Sequence, residues 1–312
     1  GTDWSKLMTF REALIRAVLL LPMLGMGACA TTSTAPPPIA EDQELRDTDL
    51  DVLFATEFPV ESKYEATQRA GDAWSKGDLD RALFFYVKAL QFEPDDTDLL
   101  AIIGMIHSAQ NNPRMAVRAY TRALNIDPLH VASLEKRGLL LLAHDEDERA
   151  AVDLQKAVAL NPALWRAQNG LGVLADKKGD HETAITYYDV AIEMVPNSAI
   201  TLNNRGYSRY LLGDFELART DLLKAATELG YEQAWVNLGV VYAAEGDYAD
   251  AVEVFKNVLS QSESCNRAAE AAIANGDYAV AERLLERAIS ESPRYYPAAE
   301  ENLAALRLRD HS

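Results

Sequence analysis

The chain has little that would support covalent or metal chemistry. Of its 312 residues only two are cysteines, Cys29 and Cys265, so no framework of disulfides can hold the fold. The five histidines, His107, His130, His144, His181 and His311, are scattered, and none stands in a metal-ligand spacing such as H-x-x-E-H. No phosphate-binding glycine loop occurs. The acidic run HDEDER, residues 144–149, reads as a solvated turn rather than a cation site. Basic residues are also in short supply. Against 48 Asp and Glu stand 30 Lys and Arg, a formal net charge of −18, which argues against nucleic acid and anionic membrane surfaces as partners. Cys265, on an inward position of a helix, reads as a small apolar core residue rather than a nucleophile. No cofactor, metal site or catalytic residue is expected, and the chain reads as a binding protein, not an enzyme.

Long apolar runs are missing too, and the one near the start has a different meaning. With Met8 as the expected start, Arg11 and Arg16 precede a run from Ala17 to Met26, and Gly27 and Ala28 lead to Cys29. That is the layout of a signal peptide over residues 1–28. A membrane-spanning helix needs about 20 apolar residues, so this run is too short for a permanent span. The tetrapeptide MGAC resembles the lipobox of bacterial lipoproteins, whose cysteine is diacylated and becomes the first residue of the mature chain. The resemblance implies lipidation at Cys29. Ala30 stands where an aspartate would mark inner-membrane retention, which implies an address on the periplasmic face of a bacterial outer membrane. Two acyl chains already suffice for stable anchoring, at about 0.8 kcal/mol per buried methylene. Residues 29–40 are then the lipidated cysteine and a Thr/Ser/Pro-rich tether that cannot bury apolar surface. Residues 41–62 mix acidic groups with Leu50, Leu53, Phe54 and Phe58, and read either as a short docking helix or as a loose acidic segment.

What the chain has in abundance is self-similarity. Pro94, Pro128, Pro162 and Pro196 stand 34 residues apart, as do Ala82, Ala116, Ala150 and Ala184. In EQAWVNLGVVYAAEGDYADAVEVF, Trp235, Leu238, Gly239, Tyr242, Ala251 and Phe255 reproduce W-x2-L-G-x2-Y followed by A-x3-F. The pattern resembles the tetratricopeptide repeat. Units begin near Lys63, Thr97, Val131, Trp165, Ala199, Glu232 and Ser262, the fifth one residue short and the sixth shorter still. Each unit should be two antiparallel helices. Gly104, Gly138, Gly172, Gly206 and Gly239 on the first helix are expected to face the alanines of the second, so that the backbones approach. Gly-Asp pairs at 77–78, 179–180, 213–214, 246–247 and 276–277 predict a left-handed turn followed by a carboxylate cap. Asn111, Asn112 and Pro113 serve the second unit in the same way. The recurrent prolines end the second helices. The expected fold is therefore all-α, a right-handed superhelical tetratricopeptide repeat solenoid of about seven helix-turn-helix units over residues 63–295. A capping helix and tail over 296–312 closes it, with Leu303 and Leu306 on one side and charges on the other.

In such a solenoid the ligand lies against the first helices of the units. Projecting the repeat brings Arg166, Asn169, Lys177, Asn203, Asn204, Tyr207, Tyr210 and Asn237 towards that surface, with Asn204 and Asn237 at equivalent positions. A side-chain amide offers a donor and an acceptor, so several in a row can grip a peptide backbone, while tyrosines add apolar contact. This resembles the asparagine ladders of peptide-binding tetratricopeptide proteins, and the expected partners are protein or peptide segments. NNRGYSRYLLGDFELA at 203–218 and ANGDYAVAERLLERAISESPRYYPAAEENL at 274–303, behind a lipobox and tether, resemble the TadD lipoproteins of tight adherence (Flp type) pilus assembly. SCNRAAEAAIANGD in the seventh unit departs from the Asn-Gly-Tyr pattern of the fifth. The resemblance implies a pilotin-like role, holding a pilus secretin or another assembly subunit at the outer membrane. Two other readings stay open: a scaffold for cell-envelope (peptidoglycan) enzymes, and a chaperone of exported subunits.

Overall fold

A computed structural model describes residues 60–294 and 296–310. The signal peptide, Cys29, the tether, most of segment 41–62 and His311 lie outside the described residues. The chain divides into two compact units, Gly1–Leu174 and Ala175–Ser312. Among the described residues there are fifteen α-helices and no strand. In the first unit, α1 (Lys63–Ser75) pairs with α2 (Leu79–Phe92), α3 (Thr97–Ala109) with α4 (Pro113–Ile126), and α5 (Val131–Leu142) with α6 (Asp147–Leu160). Helix α7 (Trp165–Lys177) follows and carries the boundary between the units. The second unit continues with α8 (His181–Met194), then pairs α9 (Ala199–Leu211) with α10 (Phe215–Leu223), α11 (Glu232–Ala244) with α12 (Tyr248–Phe255), and α13 (Gln261–Asn275) with α14 (Tyr278–Ser290). Helix α15 (Pro297–Asp310) closes it.

Six of the seven first helices start on the residue that the repeat phase predicts. The seventh starts one residue earlier, at Gln261, because Ser260 and Glu263 form a reciprocal capping box. Before each recurrent proline the backbone has left the helical region: φ is −141° at Glu93, −123° at Asp127, −142° at Asn161 and −133° at Val195. This is the conformation that proline imposes on its predecessor, and it stops α2, α4, α6 and α8. The proline carbonyls are used as well. Arg122 donates to the Pro94 oxygen (3.0 Å), Lys156 to that of Pro128 (2.5 Å) and Lys224 to that of Pro196 (3.3 Å), each cation coming from the following hairpin. In the fifth hairpin α10 passes into a π turn, Lys224–Glu228, and Gly230 at φ 66° takes the place of the proline.

Two expectations need correction. The first concerns the turns: the five Gly-Asp glycines are all left-handed, but only Asp78 and Asp180 cap the next helix, accepting from the Arg81 and Thr183 amides. Asp214, Asp247 and Asp277 make no side-chain cap bond, and Asp277 instead accepts from the Tyr248 hydroxyl. The second concerns the first-helix glycines. A Cβ on Gly104 would lie 2.5 Å from the Tyr120 ring, on Gly138 2.8 Å from Leu154, on Gly206 2.7 Å from Leu222 and on Gly239 2.5 Å from Phe255. The residue facing each glycine is thus the bulky one four places after the alanine. The missing side chain makes room for a ring or an isobutyl group, which fills the hairpin interior to the density of a close-packed core. At Gly206 the alanine also approaches, through the Ala218 carbonyl oxygen at 3.2 Å.

The core of the second unit's C-terminal end joins Phe255, Leu285, Leu303 and Leu306, with Cys265 fully buried among them as an unpaired thiol. Burial pushes that thiol above its ordinary range.

Candidate functional site

The predicted site residues divide between the two units. In the first, Arg166 is exposed and its guanidinium stacks 4.5 Å above the Trp165 ring, while Asn169 is buried. The second unit brings the asparagines together. Asn237 Nδ2 donates to Asn203 Oδ1 at 2.8 Å, and Asn203 Nδ2 to Asn204 Oδ1 at 3.4 Å, so a chain of amides runs from α11 to α9. Asn237 is 0% exposed, however, and its Oδ1 has no hydrogen-bond partner. It is a residue between helices, not one of the open surface. The fifth unit is one residue short, so Asn237 is equivalent to Asn204 in repeat phase, yet it bonds to Asn203, 34 positions earlier.

The remaining residues are graded in exposure. Asn203 and Tyr207 are buried, whereas Lys177, Asn204 and Tyr210 are half-buried. Tyr207 stacks on Tyr210 with ring centroids 5.6 Å apart, and Tyr210 on Phe215 at 6.1 Å, which holds the two phenols in a fixed apolar patch beside the amides. Burial raises the Tyr207 phenol above its ordinary value, so it stays neutral.

Next to this patch lies a polar centre that sequence reasoning missed. The buried Asp176 carboxylate accepts from the Tyr188 hydroxyl (2.7 Å) and the Ser208 hydroxyl (2.7 and 2.9 Å), and lies 2.8 Å from His181 Nδ1. Burial pushes its carboxyl up, although all three partners favour the charged form. Asp176 ties α7 and α8 to α9, and Ser208 is 32 residues away, so local patterning gives no sign of the contact. A second device does have a signature. Arg205 grips Asp221 bidentately (2.8 and 2.7 Å) and reaches Asp189 at 2.6 Å, while Arg209 adds a bond to Asp221 at 2.6 Å. In the first unit Arg137 grips Asp153 in the same way (2.7 and 2.8 Å) and reaches Thr121 at 2.9 Å. The two Arg-Asp pairs are two repeat lengths apart, and each pins the two helices of its own hairpin while touching the one before.

Chemically these residues offer amides and phenols at the edge, with paired charges beneath. Among the described residues no group of three His, Cys, Asp or Glu is placed to hold a metal ion. Among them, too, no helix is long and apolar enough to cross a membrane. The comparison with known proteins agrees with the hairpin geometry. One tetratricopeptide repeat family model matches residues 103–163, 148–199 and 203–264, and a second matches 262–295. The chain belongs to the tetratricopeptide repeat family. The α1–α2 hairpin, which lies ahead of these matches, extends the same architecture.

This tetratricopeptide repeat protein is similar to BBSome complex member BBS4 of Bos taurus, 25% identical over 201 residues, which are 64% of this chain and 36% of that one. It is also similar to tetratricopeptide repeat protein 6 of Homo sapiens, 24% identical over 160 residues, 50% of this chain and 31% of that one. The chain spans about a third of the length of these relatives. Among solved structures, a tetratricopeptide repeat protein from Parabacteroides merdae superposes with a TM-score of 0.56 at 20% identity, covering 78% of this chain and 98% of that one. The Cut9-Hcn1 hetero-tetramer of the APC/C gives 0.56 at 15% identity, covering 82% of this chain and 50% of that one. At these identities the likeness is one of fold.

Proposed function

We propose that this tetratricopeptide repeat protein is a lipid-anchored scaffold on the periplasmic face of a bacterial outer membrane, holding a protein segment during assembly of a Flp/Tad-type pilus, as a pilotin does. It works by binding and carries out no catalysis. The observation that carries the reading is the edge of half-buried Lys177, Asn204 and Tyr210 on successive first helices, set against the amide chain that joins Asn237 to Asn203 and Asn204. Such an edge can pair with an extended backbone while the helices beneath stay fixed. Membership of a repeat family whose similar proteins include one named as a complex member supports a scaffold. The lipobox at Cys29 and the resemblance of residues 160–305 to pilus-assembly lipoproteins support the location and the pathway.

The test is chemical crosslinking in the native cell, with wild type beside Cys29→Ser. Wild type is expected in the membrane fraction, attached to a secretin or another pilus-assembly subunit, and Cys29→Ser in the soluble fraction. Retention of Cys29→Ser in the membrane fraction would refute the anchor. Recovery of peptidoglycan enzymes without any pilus component would move the protein to envelope synthesis.

A further inference from the structure

Two fully buried carboxylates of the second unit are each held by several close donors. Asp221 is matched by two arginines, and Asp176 by two hydroxyls and an imidazole. Glu270, on α13, is different. Its side chain is only 22% exposed, yet the cation paired with it, Arg267, lies 3.9 Å away, beyond hydrogen-bond length, and is itself half exposed. What holds Glu270 is a pair of neutral amides. Asn266 Nδ2 donates to Glu270 Oε1 at 2.8 Å, and Asn302 Nδ2, from the closing helix α15, donates to Asn266 Oδ1 at 3.1 Å. The carboxylate is therefore positioned with Arg267 only at the far edge of ion pairing, and burial still pushes it above its ordinary range, a cost that a closer cation from a partner would offset.

Its place in the repeat agrees. Tyr207, Val240 and Glu270 each follow the small buried residue of their first helix, Gly206, Gly239 and Ala269, and so share one position in three consecutive hairpins. Asn203, Val236 and Asn266 share another, one turn earlier. Val236, Val240, Ile273 and Tyr296 are partly exposed and pack on the same C-terminal core. The positions held by buried Asn203 and Tyr207 in α9 thus become partly exposed valines in α11, next to the edge of Asn204 and Tyr210, and end at a half-buried carboxylate in α13.

We propose that Glu270, held by Asn266 and Asn302 where the seventh hairpin meets the closing helix, receives a basic side chain of the bound segment. The inference rests on the groove reading above and adds the chemistry of the partner: an extended segment with apolar residues and, at one end, a lysine or arginine. The closing helix then serves as part of the binding surface as well as a cover for the core.

A random nonapeptide library displayed on phage tests this against the full chain purified in detergent. Wild type should select peptides with Lys or Arg enriched at one position. Those peptides should bind Glu270→Gln about tenfold more weakly and Glu253→Gln, which removes an equal charge from an exposed site, as tightly as wild type. Glutamine keeps the shape and relieves a buried charge, so the variant fold is retained. Selected peptides without a basic preference, or equal losses in the two variants, would overturn this inference and leave the groove reading standing. If no peptide is selected at all, both fall.

Discussion

Replacing Gly239 by alanine should weaken the fold, although alanine is the better helix former. The added Cβ would lie 2.5 Å from Phe255 Cδ1 and Cε1 and 2.8 Å from Cζ. Phe255 is 1% exposed in a core with Cys265 and Leu285, so its ring has no open space to swing into. Overpacking of this kind costs about 1–3 kcal/mol, against about 1 kcal/mol gained by removing a glycine from a helix. The expected net is a loss of about 1 kcal/mol, and at most about 2 kcal/mol. Gly71 supplies the control, because it is helical in α1 and a Cβ there meets nothing within 4 Å. Gly71→Ala should therefore keep only the gain and raise stability by up to about 1 kcal/mol. Urea unfolding followed by circular dichroism measures both, with midpoints compared at an unchanged m-value. Shifts of opposite sign are expected. A Gly239→Ala protein as stable as wild type would refute the argument that the glycine exists to seat the ring.

Other consequences follow from the buried polar groups. Asp176→Ala leaves the Tyr188 and Ser208 hydroxyls without their acceptor and should cost about 3 kcal/mol, read as a lower melting temperature. Burial raises the Asp176 carboxyl, so the folded chain keeps that proton over a pH window in which the unfolded chain has lost it. Its contribution is then full below the ordinary carboxylate range and lost as pH rises through the folded value. The stability of wild type relative to Asp176→Asn should accordingly grow as pH falls from 7, and a difference that shrinks would contradict the direction. Asn237→Ala removes the 2.8 Å bond to Asn203 but also an acceptor that had no partner, so the loss should be at most about 1 kcal/mol in urea midpoints. Asn204→Ala should leave the midpoint unchanged and lower affinity for the crosslinked partner in a titration.

The period of 34 made the hairpins legible, because proline and left-handed glycine leave marks at fixed offsets and act within a few residues. The helices beginning at Lys63, Thr97, Val131, Trp165, Ala199 and Glu232 follow from that alone. Contacts between helices were harder to read. The partner of each first-helix glycine is sixteen residues away and had to be chosen between an alanine and a bulkier neighbour on the same face; space filling chose the larger. Asn237 looked like a surface residue because its phase equals that of Asn204, but phase does not say how deeply the helix sinks between its neighbours. Asp176 carried no warning, since acidic residues on a first helix are usually solvated and its acceptor role depends on Ser208 in the next unit. The Arg-Asp pins were legible in principle, as Arg137 and Arg205 recur at twice the period together with Asp153 and Asp221.

The central claim is that the first-helix edge of the second unit holds the partner. A photo-crosslinking amino acid placed at Tyr210, on that edge, and separately at Leu217, exposed on the second helix of the same hairpin, tests it in the native cell. Attachment of a pilus-assembly subunit from position 210 and not from 217 is the predicted result. Attachment from 217 alone, or equally from both, would contradict it.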